Sequence, residues 1–214
     1  MKILMNTGGI AATNSFVIAD ENAKQAVMFD APNDTTQPLL DAIQQQGWDL
    51  VGLWFTHGHF DHVADHAVVT QRFPNAQVLI HRLDNPKLQN PNDTIFVLPF
   101  VIPPRSADVL LEDGQKLKVG SLEFQVIHTP GHSVGHTTYY CASEAILVGG
   151  DLIIGGSVGR TDLPDSKHAD LEASIRRIMQ LPPQTRLLPG HGQITSLEYE
   201  LQTNPYVQEA VEAQ

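Results

Sequence analysis

Cys141 is the only cysteine among 214 residues, which excludes an intramolecular disulfide. It lies in the apolar stretch 138–141 and reads as a small core residue, not as a nucleophile. No apolar run approaches the ~20 residues that span a bilayer, so no membrane partner is expected. The opening Met1-Lys2-Ile3-Leu4-Met5 is too short an apolar stretch before Asn6 and Gly8-Gly9 for a secretory signal. A cytoplasmic protein is therefore expected. Positive charge is scarce: 13 Lys and Arg stand against 24 Asp and Glu, for a formal charge of −11. The basic residues are scattered, with only Arg176-Arg177 adjacent, which argues against a nucleic-acid partner. The acidity itself reads as solubility.

The apolar content of 42% and charged content of 17% are ordinary for a folded chain. One domain over 1–214 is expected, long enough to bury a full core. Short strands are expected at 2–5, 14–19 and 26–30, followed by the turn cluster Asp30-Ala31-Pro32-Asn33-Asp34. Thr36 should cap a helix that runs to about Gln46, with Leu39, Leu40 and Ile43 on its apolar face and Gly47 as its stop. Residues 50–55 form an apolar run without alternation, as in a strand covered on both faces. A helix over 62–72, a strand over 77–80 and a long irregular loop over 84–104 follow. The second half reads as strands at 109–111, 115–119, 122–128, 137–141, 145–148 and 186–188. It has a helix over 170–180 with Leu171, Ile175, Ile178 and Met179 on one face. Thr195 with Glu198 matches a capping box for a C-terminal helix. Strands and helices in both halves point to an α+β architecture, a two-layer β core with helices outside.

The segment Thr56-His57-Gly58-His59-Phe60-Asp61-His62 follows one of these strands and packs three imidazoles and a carboxylate into six positions. Imidazole and carboxylate are ligands for the same divalent ions. His57 and His59 can point one way from extended backbone, while Asp61 and His62 fall on the next turn and can face a second point. Three later loops have the same character: Thr129-Pro130-Gly131-His132, Gly149-Gly150-Asp151 and Pro189-Gly190-His191-Gly192. Each presents one His or Asp after a buried strand, beside glycines that let the backbone bend. Alone, each would read as a polar turn. Beside the dense first cluster they become the natural source of further ligands on one rim of a sheet sandwich.

These residues resemble the metallo-β-lactamase fold superfamily. The segment 57–62 matches its His-x-His-x-Asp-His motif, and His132, Asp151 and His191 fall in the family's order. The resemblance implies a four-layer αββα sandwich. It also implies two divalent metal ions: His57, His59 and His132 on the first, Asp61, His62 and His191 on the second, and Asp151 bridging. Zinc is the expected metal, with iron and manganese compatible with the same ligands. Asp61 and Asp151 would serve catalysis as well as ligation, Asp61 by orienting the nucleophilic water. Within the superfamily the chain looks like the short glyoxalase II-like hydrolases, on Thr129-Pro130-Gly131-His132-Ser133 and Gly159-Arg160-Thr161-Asp162-Leu163-Pro164.

That likeness implies hydrolysis of a small thioester of the S-lactoylglutathione type by a metal-bridging hydroxide. A thiolate leaving group needs little acid assistance. Arg160 could bind a substrate carboxylate, or form a salt bridge with Asp162 or Asp165. Of the other histidines, His128 could support the site or merely end a strand. His66 should be packed or solvated, and His136 lies close to the His132 loop. Only 23 residues follow His191, so the helical region that binds glutathione in the longer enzymes is expected to be missing. Two alternatives share the fold. One is a persulfide dioxygenase with a single iron on His57, His132 and Asp151, and the other is a lactonase.

Overall fold

The computed structural model describes residues 1–212. Two six-stranded sheets face each other. The first runs in chain order through β1 (Lys2–Gly8), β2 (Thr13–Asp20), β3 (Gln25–Phe29), β4 (Asp49–Trp54), β5 (Gln77–His81) and β6 (Val109–Leu111). Its first three strands are antiparallel and the rest parallel. The second contains β7 (Lys116–Val119), β8 (Leu122–His128), β9 (Thr137–Cys141), β10 (Ile146–Gly150), β11 (Arg186–Pro189) and β12 (Thr195–Ser196). All its pairings are antiparallel except β10 with β11.

Side-chain alternation turns these strands into four layers. On β2, Phe16 and Ile18 face the second sheet, while Val17 and Ala19 face outward under helices. This double coverage explains why β2 shows no polar alternation. Between the sheets, Phe29 lies 5.5 Å from Trp54 edge-on and 5.2 Å from Tyr139. The Tyr139 hydroxyl donates to Phe55 O at 2.6 Å, so this buried hydroxyl is satisfied. Outside the first sheet, α1 (Gln37–Gln46) presents Leu39, Leu40 and Ile43, and α3 (His66–Arg72) presents Val69. Outside the second, Leu171, Ile175 and Ile178 of α5 (His168–Ile178) pack with Leu197 of α6 (Leu197–Thr203) and Val207 of α7 (Pro205–Glu212). Cys141 is buried in the inter-sheet core. No helix among the described residues is long and apolar enough to cross a membrane.

Several local expectations are corrected. Gly47 ends α1 in the left-handed region at φ 64°, and Thr36 stands at the N-cap position, but its side chain makes no capping bond. The Thr36 hydroxyl donates instead to Asp65 Oδ2 at 2.9 Å. The single helix expected over 62–72 is two pieces, α2 (Phe60–Val63) and α3. Ala31 breaks it: its N–H bonds His62 O and its O accepts from Asp65 N, taking backbone groups that a continuous helix would use. The long loop over 84–104 holds one short helix, α4 (Asn85–Gln89). The C-terminal cap is one residue later than Thr195, since Ser196 Oγ accepts from Tyr199 N.

Candidate metal centre

The ends of β4, β8, β10 and β11 meet at one rim, and the four loops converge there. His57, His59 and His132 bring one ligand atom each to within 4.8 Å of one another. So do Asp61, His62 and His191, and so do His57, His62 and Asp151. The Asp151 carboxylate stands between the groups: Oδ2 is 3.5 Å from His132 Nε2 and 3.3 Å from His191 Nε2, and Oδ1 is 3.4 Å from His62 Nε2. All seven expected residues are thus brought together. The loops tolerate no bulk here, because a Cβ on Gly190 would overlap Asp151 Oδ1 and His62 Cε1.

The rings are held by hydrogen bonds on their far side. His62 Nδ1 lies 2.8 Å from Asp30 Oδ2. His57 Nδ1 lies 3.1 Å from Thr56 Oγ1, whose own hydroxyl donates to the same Asp30 oxygen at 2.8 Å. His132 Nδ1 donates to Arg160 O at 2.9 Å. In each case an N–H is committed at Nδ1 and the lone pair of Nε2 is left facing the centre, the tautomer a metal ligand requires. Buried His57 Nε2, His62 Nε2 and Asp151 Oδ1 have no hydrogen-bond partner among the described residues. Such orphaned atoms are costly unless something else satisfies them. His59 Nδ1 also faces His132 Nε2 at 2.9 Å. The donor set therefore fits divalent metal.

Electrostatics divides the cluster in two. Burial, with the neighbouring His62, holds His57 well below the ordinary imidazole range, and burial with His132 brings His59 to about 4. Burial opposes charge on His191, but its hydrogen bonds to Asp151 and Asp61 outweigh it and lift the ring to about 10. Burial likewise opposes charge on His62, and Asp61, Asp151 and Asp30 together lift it well above its usual value. Asp61, despite burial, is drawn down to about 2 by His62 and His191, and Asp151 falls further below its ordinary range for the same reasons. Without metal, the neighbouring carboxylates thus favour the charged form of His62 and His191.

Four further residues support the ligands, and of these the sequence pointed only to His136. Asp30 orients two rings, yet it reads as the head of a turn cluster. The strand that ends at it is the available signal. Thr13 Oγ1 donates to Asp61 Oδ2 at 2.8 Å. Asp84, buried in the long loop, accepts from Gly58 N at 2.8 Å, Gly135 N at 2.8 Å and Ser133 Oγ at 2.7 Å, and pairs with Lys87 at 2.8 Å. It ties the His59 loop to the His132 loop. His136 is the fourth: its buried Nε2 accepts from Asp151 N at 3.0 Å and its Nδ1 meets Thr129 Oγ1 at 2.9 Å. Other histidines stand apart. His128 stacks on His81 with ring centroids 4.1 Å apart, and buried His66 meets Pro103 O at 2.7 Å. Arg160 forms a two-pronged pair with Asp162 at 2.6 and 2.8 Å. It lines a cavity of about 720 Å³ whose floor includes His59, Asp61, His132, Asp151 and His191.

Known proteins share this fold. The profile of the metallo-beta-lactamase superfamily matches residues 8–191. A probable metallo-hydrolase of Bacillus subtilis, YqgX, is 29% identical and covers 95% of each chain. A hydroxyacylglutathione hydrolase of Synechocystis is 32% identical over 89% of this chain and 68% of its own. Among solved structures, the B3 metallo-beta-lactamase BLEG-1 superposes with a TM-score of 0.88 at 32% identity, covering 96% of this chain and 99% of that one. The di-iron-bound form of TTHA1623 gives 0.84 at 36% identity, over 95% and 99%. ETHE1 from Myxococcus xanthus gives 0.80 at 25% identity, over 99% and 88%. This chain belongs to the metallo-beta-lactamase superfamily, and its kinship is with metallo-hydrolases.

Proposed function

We propose that the protein is a dinuclear metallohydrolase that cleaves thioesters, with S-lactoylglutathione as the reference substrate. The observation that carries this is the placement of Asp151 between two complete nests of ligand atoms. His57, His59 and His132 would hold one ion, Asp61, His62 and His191 the other, with Asp151 shared. When bound, a pair of divalent ions supplies an acidified water as nucleophile and polarises the substrate carbonyl. Zinc is the metal we favour. The di-iron form of TTHA1623 supports iron as the alternative.

The chain's own residues set the geometry for this. Thr13 and His191 hold Asp61 Oδ2, and the carboxylate so held would ligate metal and orient the nucleophilic water. His136 holds the Asp151 backbone from below. The thiolate leaves toward the open cavity and needs no buried acid to protonate it. The hydroxyacylglutathione hydrolase of Synechocystis supports a thioester over other acyl substrates. His59→Ala should lower metal content and reduce hydrolysis below detection. Unchanged turnover would contradict the proposal.

A second reading is a single iron on His57, His132 and Asp151 acting on a persulfide, favoured by the superposition on ETHE1. It leaves Asp61 and His191 converging on His62 for no purpose. Oxygen uptake on glutathione persulfide with one iron per chain would establish it. Lactones belong in the same substrate panel, because one nucleophile serves both esters.

A further inference from the structure

The chemistry above uses only the floor of the 720 Å³ cavity. Its walls include Ile95, Phe96, Val134 and Leu163, from the long loop, the His132 loop and the segment after Arg160. Ile95 and Phe96 are 63% and 41% exposed, a costly state for adjacent large apolar side chains. Phe96 is nonetheless placed: its ring centroid is 5.5 Å from that of Phe60, and the Arg160 guanidinium carbon lies 5.9 Å from it.

The charges on the wall point the same way. Lys87 Nζ is held at 2.8 Å by buried Asp84 and at 2.5 Å by Asp165. Arg160 is held by Asp162, but that pair is exposed and can exchange partners at little cost. A glutathionyl arm carries two carboxylates and one ammonium, and among the described residues that line the cavity Arg160 is the cation whose exposed pairing can be exchanged for them. Of the carboxylates that border the cavity, Asp61 and Asp151 belong to the ligand nests and Asp165 pairs with Lys87, which leaves Asp93 to oppose an anionic arm.

We infer that the cavity selects a thioester with an uncharged apolar arm, and that Phe96, with Ile95, Val134 and Leu163, determines this specificity. The inference rests on the proposed thioester hydrolysis and narrows its substrate class. Burying an apolar arm against Phe96 removes two apolar surfaces from water at once, whereas a glutathionyl arm leaves the Ile95–Phe96 surface wet and its own carboxylates underpaired.

The test uses the metal-loaded protein and three thioesters. S-phenylacetyl-N-acetylcysteamine carries the apolar arm on the acyl side, S-phenethyl thioacetate carries it on the thiol side, and S-lactoylglutathione carries none. The better phenyl thioester should exceed S-lactoylglutathione in kcat/KM by about tenfold, and the phenyl substrate preferred shows which arm the wall holds. Phe96→Ala should lower that ratio about tenfold, mainly through KM, and Phe96→Leu should restore most of it. An unchanged melting temperature in both variants shows that the fold is intact. Calorimetric binding of 5-phenylpentan-2-one, in which a methylene stands for the sulfur, reads the wall without turnover. Preference for S-lactoylglutathione, or a ratio that ignores Phe96→Ala, overturns the inference. If no thioester is cleaved, the proposed function fails. Ketone binding that Phe96→Ala weakens about tenfold would still uphold the apolar wall. Absence of ketone binding would remove both.

Discussion

Asp30 concentrates more of the site's geometry than any ligand does, because one buried carboxylate fixes His62 directly and His57 through Thr56. Asp30→Ala should therefore weaken metal binding about 10- to 100-fold while leaving every ligand in place, as measured by competition with a chelator. A second expectation concerns protons. His62 and His191, raised in the metal-free protein, must each give up a proton to become ligands, whereas His57 and His59 are already neutral. Binding at the Asp61, His62 and His191 group should release protons and weaken as pH falls from 8 to 6, more steeply than binding at the first group. Calorimetry in buffers of different ionisation enthalpy reads that release directly. Asp84 gives the third. Burial opposes its ionisation, but Lys87, Ser133 and Gly58 outweigh this, so its folded pKa lies below the unfolded value. Its contribution is fully present above the unfolded value of ~3.9 and is lost as pH falls through the folded one. Asp84→Asn should cost about 3 kcal/mol at neutral pH in a urea titration and flatten the acid limb of the stability profile.

At the scale of elements, the sequence was most legible where pattern and punctuation agree. Strand β2 and helix α1 fall where their apolar runs place them, and Gly47 ends the helix in the conformation only glycine adopts readily. Legibility failed where distant backbone decides. Nothing in residues 62–72 reveals that Ala31 will take the His62 carbonyl and the Asp65 N–H, so the break between α2 and α3 is invisible locally. The cap is at Ser196 instead of Thr195 because β12 runs through both residues before the helix begins, and it is the Ser196 hydroxyl that reaches Tyr199 N. The ligands were readable because each follows a strand end in a glycine-rich loop. Asp84 was not, because it lies within an irregular segment with no period to mark it. The layered core supplies a prediction at this scale. Phe29 contacts Trp54, Phe124 and Tyr139, so Phe29→Ala should destabilise the protein by about 3–5 kcal/mol in urea unfolding.

Taken as a molecule, the two sheets form a rigid frame whose shared rim carries the ligands, while the apolar wall is carried by longer loops that can vary independently. The core and the chemistry are thus separable, which is how one fold serves several reactions. Metal should bind the folded chain far better than the unfolded one, so stripping it should lower the melting temperature, and zinc should restore it. The central claim is that two nests, bridged by Asp151, each hold an ion. The metal-to-chain ratio of natively purified, untagged protein tests this most directly. Two ions per chain are expected, falling in Asp151→Ala to one or fewer. A single ion per chain, retained undiminished in Asp61→Ala and His191→Ala, would contradict it.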